Sequence, residues 1–507
     1  MVWWVVVLPL ILWVGGIIRQ LLPRRRTEPP TVFHWFPFLG SAVSYGQDPQ
    51  SFFLRCREKY GDIFTFVLLG KQITCYFGLE GNDFIFNGKQ HDLNAEEIYG
   101  PLTTPVFGSD VIYDCPNAKL MEQKKFVKFG LTQQALECHV PLIEREVLDY
   151  IKGAAAFKGQ NGTMHVGTTM SEITIFTAGR ALQGDEVRAK LTAEFASLYH
   201  DLDMGFQPIN FLMPWAPLPH NRKRDEAHAK MRDVYMDIIA RRRQSGAVRG
   251  SDMISNLMKC KYKDGRAVPD KEIAHLMITL LMAGQHTSAS ASSWIMLHLA
   301  SRPDVGERLY REQVDNLGAT GTRGRLEPLK YSDLARLPLL SNVIKETLRV
   351  HSAIHSVMRK VKRPMAVPDT PYVVTPGKVL LASPSVTAMS EQHFQNASEW
   401  DPDRWDSSAV SGAVGGDNNG HDDDESISRG TRSPYLPFGV GRHRCVGEKF
   451  AYLNLGVIVA TLVRSFRFYT VDGKATVPET DYSSLLSRPK EPAVVRWERR
   501  YESGLEV

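Results

Sequence analysis

The residues with the clearest chemical purpose lie at 438–447, FGVGRHRCVG, where Phe438 and glycines 439, 441 and 447 surround one cysteine, Cys445. The run is not a nucleotide loop. A dinucleotide G-x-G-x-x-G would need glycine where Arg444 stands, and a Walker loop would need G-K-[ST]. The spacing can instead build a cysteine turn: glycines permit positive φ and close backbone approach to a flat ligand. Amides at the start of an apolar helix beginning near Glu448 would then favour a thiolate. A thiolate held this way suits iron; the alternative is a buried thiol in an ordinary glycine-rich turn.

Two more clusters could do chemistry. Ala283-Gly284-Gln285-His286-Thr287-Ser288 sits inside a long apolar run, where small residues admit a ligand and Thr287 can bond back to a carbonyl one turn earlier, opening the helical ladder. Plain helix packing is the alternative there. Glu346 and Arg349 share a helical face by their spacing, either as a solvated pair or as part of a buried cluster with Arg404 of Asp401-Pro402-Asp403-Arg404-Trp405.

The elements that position these residues are mostly helical. Apolar periodicity predicts helices over 49–60, 120–155, 186–202, 221–258, 271–300, 304–317, 339–350 and 446–465, with strand-like runs at 62–77, 357–382 and 467–499. This is a mainly α chain with small β-sheets. At 507 residues, 43% hydrophobic, it can bury a sizeable core. Its 61 basic and 56 acidic residues are too balanced for a nucleic-acid binder. The six cysteines include no C-x-x-C pair, which argues against zinc or thioredoxin-type sites.

At the N-terminus, Val2–Ile18 is uncharged and is followed by Arg19, Arg24, Arg25 and Arg26. A signal peptide would carry its positive charge before the apolar run, so this order reads as an uncleaved anchor over 1–22 with a cytosolic body. A proline-rich connector over 23–48 would hold the body near the bilayer. Residues 407–433, with five Gly, six Ser and five acidic residues, read as a disordered surface insertion.

The cysteine run fits F-x-x-G-x-[RH]-x-C-x-G through Phe438, Gly441, His443, Cys445 and Gly447. In this the chain resembles the cytochrome P-450 superfamily. Glu346–Arg349 then looks like its E-x-x-R, Arg404 like the arginine of its P-x-R segment, and AGQHTS like [AG]-G-x-[DE]-T with His286 where an acid is usual. A histidine there, together with segments 99–131, 199–220 and 351–361, resembles the fungal sterol 14α-demethylases. The likeness covers nearly all the chain after the anchor.

The resemblance implies a cytochrome P-450 fold in a single catalytic domain over 49–507, with haem b ligated by the Cys445 thiolate. It implies removal of the 14α-methyl of lanosterol or its 24-methylene relative, eburicol, in three O2- and NADPH-dependent oxidations that release formate, in ergosterol biosynthesis. Electrons would come from a membrane-bound NADPH-cytochrome reductase, since no flavin or nicotinamide motif is found, and the location would be the endoplasmic reticulum membrane. Tyr99, Tyr113, Lys124, Arg359 and His443 would hold the haem propionates. Leu102, Thr103, Phe107, Phe206, Phe211, His355, Ser356 and Leu485 would line the sterol pocket. Asp203 would pair with His286 and relay protons towards Thr287, or His286 would only gate the pocket. Lys124, Lys125, Lys128, Arg442, Arg444 and Lys449 would form a basic docking face for the reductase.

Overall fold

The computed structural model describes residues 13–22, 25–191, 193–211, 213–246, 252–320, 325–406 and 430–501. Most of the expected anchor and nearly all of the expected insertion, 407–429, lie outside the described residues. Residues 13–21 are helical, and among the described residues no helix is long and apolar enough to cross a membrane.

The chain forms two compact units, each built from separated stretches. The first comprises 1–100, 354–398 and 413–444. Its five-stranded sheet runs in the order Ile63–Leu68, Lys71–Tyr76, Val379–Ala382, Val357–Val361, Leu93–Asn94, with the second and third strands parallel and the rest antiparallel. The alternation predicted for 62–77 is present, but it separates two cores rather than core from water. Phe64, Phe66, Ile73 and Leu381 pack with Phe52 and Phe53 of the helix Pro49–Tyr60, while Ile63 and Leu380 face Ile85, Phe86, Leu93 and Leu436. That helix has its expected bounds because the Asp48 carboxylate accepts from Ser51 N at 3.0 Å and Gly61 stops it at a φ of 83°. The connector is no free spacer: Thr65 N donates to Pro30 O and Val32 N to Thr65 O, tying it to the edge strand.

The second unit comprises 101–353, 399–412 and 445–507. The run read as one helix over 120–155 is two, Asn117–Phe129 and Gln133–Gly153, because Thr132 caps the second. The 221–258 run also divides, into Pro219–Ser245 and Met253–Lys259, with Gly246 at a left-handed φ of 60° ending the first. Helices Glu96–Phe107, which contains Pro101 and Pro105, and Val166–Ala178 were not predicted. A three-stranded antiparallel sheet orders Phe466–Thr470, Val494–Arg499 and Asn161–His165.

The helix Asp270–Ser301 organises this unit. Its first half, Ile273 to Met282, packs into an apolar cluster with Leu102, Phe206, Met231 and Tyr235. Its last half, Ala291 to Ala300, packs into another with Val343, Phe450 and Trp497. The AGQHTS segment falls between the two.

Candidate active site

In the cysteine run Gly439 and Gly441 take φ values of 64° and 72°, as the turn requires. Gly441 also allows close approach: a Cβ there would stand 3.1 Å from the Phe86 carbonyl oxygen. Gly447 differs from expectation. It has a φ of −91° and serves as the N-cap of the helix Glu448–Ser465. A Cβ there would meet Cys445 Sγ at 3.9 Å, so the sulfur lies over the start of that helix, where unsatisfied N–H groups favour negative charge. The Cys445 residue is exposed.

The long helix opens a window at its middle. Leu281, Met282 and Ser288 to Ala300 are buried, but Ala283 is exposed and Gly284, His286 and Thr287 are half-buried. Thr287 Oγ1 donates to Ala283 O at 2.7 Å, the expected back-bond, yet the helix stays regular from Asp270 to Ser301 and its ladder does not open.

Beside this window, His286 Nε2 stands 3.1 Å from Asp203 Oδ1, a close contact without hydrogen-bond alignment. Burial pushes the Asp203 carboxyl up, but His286, Arg488 and His200 outweigh it and hold it below the usual range. The His286 ring lies against Tyr199, centroids 4.9 Å apart. Tyr199 donates its hydroxyl to Gln285 Oε1 at 2.6 Å, and Gln285 Nε2 donates to Ser171 O at 3.1 Å. Tyr199 and Arg488 were missed in the sequence, because a tyrosine 86 residues from its partner carries no local pattern; Gln285 was legible only as part of the small-residue window.

Five of the expected substrate residues meet. Leu102 and Phe206 are buried in the apolar cluster of the long helix, and Phe107, Phe211 and Leu485 pack against it together with Val446, the neighbour of Cys445. Ser290 Oγ donates to Ser487 O at 2.8 Å and so ties the Leu485 segment to the long helix. Thr103 is buried in the same unit. His355 and Ser356 lie in the first unit. There the His355 ring faces Tyr45 and Phe53, burial pushes its imidazole down to about 4, and Ser356 hydrogen-bonds the Tyr45 hydroxyl.

The expected propionate residues divide between the units. In the first, Arg359 is buried and donates to Met358 O at 2.8 Å, Tyr99 accepts from Met358 N at 2.9 Å, and His443 ends the short helix Gly441–His443. In the second, Tyr113 lies in the short helix Ile112–Asp114. Lys124 is half-buried, and burial pushes its ammonium down to about 8 against an upward pull from Cys445.

Glu346, Arg349 and Arg404 form one buried cluster. The Glu346 carboxylate accepts from Arg349 Nε and Nη2 at 2.9 and 2.7 Å and from Arg404 Nε at 2.8 Å. Trp405 Nε1 and Asp401 N, from the same segment as Arg404, complete it at 2.9 and 3.0 Å. Glu346 and Arg349 have 0% side-chain exposure, so the solvated-pair alternative fails.

The sequence matches the cytochrome P450 family over residues 29–496. The chain belongs to the cytochrome P450 family. A sterol 14-alpha demethylase of Gibberella zeae is 64% identical over 501 residues, spanning 98% of each chain. One of Aspergillus fumigatus is 63% identical, spanning 96% of this chain and 95% of its own. An eburicol 14-alpha-demethylase of Penicillium italicum is 59% identical, spanning 96% and 94%. Among solved structures, a retinoic acid bound cyanobacterial CYP120A1 shares the fold, with a TM-score of 0.77 at 20% identity, covering 94% of this chain and 100% of that one.

Members of the P450 family bind haem iron through a cysteine thiolate and take electrons from a redox partner. The residues present fit that group. An exposed cysteine lies over a helix start, an accessible window breaks an otherwise buried helix, and burial disfavours the charge on Lys124 in a way a propionate carboxylate would reverse. The proposed docking face needs one correction. Arg442 is half-buried and donates to Gly88 O at 2.7 Å and Leu93 O at 3.0 Å, which makes it a tie within the first unit; Lys125, Lys128 and Lys449 are exposed.

Proposed function

We propose that this P450 is a sterol 14α-demethylase acting on lanosterol or eburicol by three successive oxidations of the 14α-methyl, with release of formate. The observation that carries this reading is the 59–64% identity, over nearly the full chain, to proteins of that name. The placement of His286 against Asp203 supports it from within the site. When bound, the haem supplies the one-electron and O2 chemistry.

The chain's own residues then have separate tasks. Leu102, Thr103, Phe107, Phe206, Phe211 and Leu485, with His355 and Ser356, line the sterol site, where an apolar wall suits a rigid hydrocarbon and excludes water. Asp203 orients the His286 imidazole and its negative charge balances the ring when it takes up a proton from solvent, which the ring then passes towards the Thr287 hydroxyl. Thr287 Oγ1, whose hydrogen is committed to Ala283 O, offers its lone pairs to the window. Cys445 would ligate the iron, and Tyr99, Tyr113, Lys124, Arg359 and His443 would donate to the propionates. Residues 49–507 act as the catalytic domain, Val2–Ile18 tethers it to the endoplasmic reticulum membrane in a single pass, and an NADPH-cytochrome reductase docks on exposed Lys125, Lys128 and Lys449.

The test is reconstitution of the purified holoenzyme with reductase, NADPH and lanosterol or eburicol, measuring formate and the 14-desmethyl product against a Cys445→Ala control. Both products, absent from the control, are expected. Absence of product from either sterol, with the thiolate-ligated CO spectrum intact, would overturn the substrate assignment and leave the haem assignment standing.

A further inference from the structure

The turn from Phe107 to Tyr113 joins a residue of the apolar cluster to one of the expected propionate donors, and its backbone is under strain. Gly108, Asp110 and Ile112 have φ values of 97°, 69° and 52°. A β-branched residue rarely adopts that conformation, so surrounding structure must impose it. Part of the restraint is local: Asp110 N donates to Asp114 Oδ2 at 2.9 Å, Gln123 Nε2 to Asp110 O at 2.8 Å, and Lys119 pairs with Asp110 at 3.2 Å.

The Ser109 carbonyl is held from a distant helix, and a second histidine stands behind the one that holds it. His275, on Asp270–Ser301 and 1% exposed, places Nδ1 2.8 Å from Ser109 O. A carbonyl only accepts, so Nδ1 carries the proton. His228, on Pro219–Ser245, packs behind His275 with its ring 5.2 Å from the His275 ring. Gly108 makes this approach possible: a Cβ there would sit 2.4 Å from the His275 ring. Burial pushes His228 down to about 4 and lowers His275, where the bond to Ser109 O pulls the other way and Lys271 and Arg232 add to the lowering. Phe107 itself stands 5.7 Å from Phe206.

We infer that His275, backed by the His228 ring, is an imidazole clamp on the 107–109 backbone that sets where Phe107 and Tyr113 stand, making both histidines positioning residues for substrate selection. Phe107 packs against the cluster at the point where this strained turn leaves the helix Glu96–Phe107. The selection of a sterol, though not the clamp itself, rests on the function proposed above.

The experiment compares wild type, His275→Leu and His275→Asn as holoenzymes, since the Asn amide places an N–H where Nδ1 stands. Hydrogen exchange over Thr104–Tyr113 reports the clamp without any substrate, and the lanosterol-induced Soret shift reports sterol binding. His275→Leu is expected to speed exchange in that segment and weaken sterol binding about tenfold, the effect of one buried carbonyl left unsatisfied, with little change in kcat at saturation. His275→Asn is expected to restore most of both. Should the Leu variant fail to fold, His228→Leu, at a half-buried position, is expected to give the same localised pattern more weakly. Unchanged exchange in 104–113, or a rise spread over the whole chain with matching haem loss and no rescue by Asn, would overturn the clamp. A wild type that binds no sterol would overturn the substrate reading, while the exchange measurements would still decide the clamp.

Discussion

Replacing Glu346 with Gln is the sharpest test of what holds the second unit together. Five donors converge on two oxygens there, from Arg349, Arg404, Trp405 and the Asp401 backbone, and the Arg349 side chain has no solvent exposure. The substitution removes the only negative charge in the triad and turns an acceptor into an amide donor aimed at a guanidinium. Breaking a buried pair by removing one partner costs about 3–5 kcal/mol, and a second, nearly buried arginine is stranded here too, so the upper end of that range is expected. Urea unfolding of the holoenzyme, followed by far-UV circular dichroism, should show the midpoint fall at unchanged m-value. Turnover per correctly folded haem should persist, because none of these groups lies in the AGQHTS window or the cysteine run. Glu346→Met combined with Arg349→Met should cost less than the sum of the two single changes, since the charge is removed with its partner. A loss below about 1 kcal/mol, the value of an exposed pair, would refute the reasoning.

Asp203→Asn and His286→Ala should lower kcat by about a hundredfold, the scale of a lost general acid–base step, and raise NADPH consumed per product while sterol binding holds; unchanged rate and coupling would leave His286 as a gate. Lys124, with a folded pKa of about 8 below its unfolded value, carries a charge penalty that is complete below pH 8 and relieved towards 10.5. Haem-free protein should therefore gain stability across that window, and either bound haem or Lys124→Met should flatten the slope of the urea midpoints. His298 and His351 meet at 2.8 Å between Trp400 and Trp294, and burial pushes His298 down to about 3 and His351 well below its ordinary value. Their unfolded forms take up protons below about pH 6.5, so stability should fall with further acidification by up to about 1.4 kcal/mol per pH unit for each ring. His298→Gln should make that acid slope shallower.

The sequence by itself determined what depends on near neighbours. The cysteine turn was legible because positive-φ glycines and a helix start recur at fixed short spacing, and Glu346 and Arg349 were legible because three residues make one helical turn. The helix Pro49–Tyr60 was legible because its cap and apolar pattern are local, and Asp270–Ser301 because its long apolar run is. Where a single apolar period crossed Thr132 or Gly246, two helices were read as one, and the two prolines of Glu96–Phe107 hid a helix that tertiary packing sustains. Only the tertiary structure decided that Tyr199 faces His286, that Arg442 is spent on Gly88 and Leu93, and that His275 closes on Ser109 with His228 behind it. Those partners are separated by tens to hundreds of residues, and a hydrogen bond depends on distance in space, which helix packing sets and chain spacing does not record.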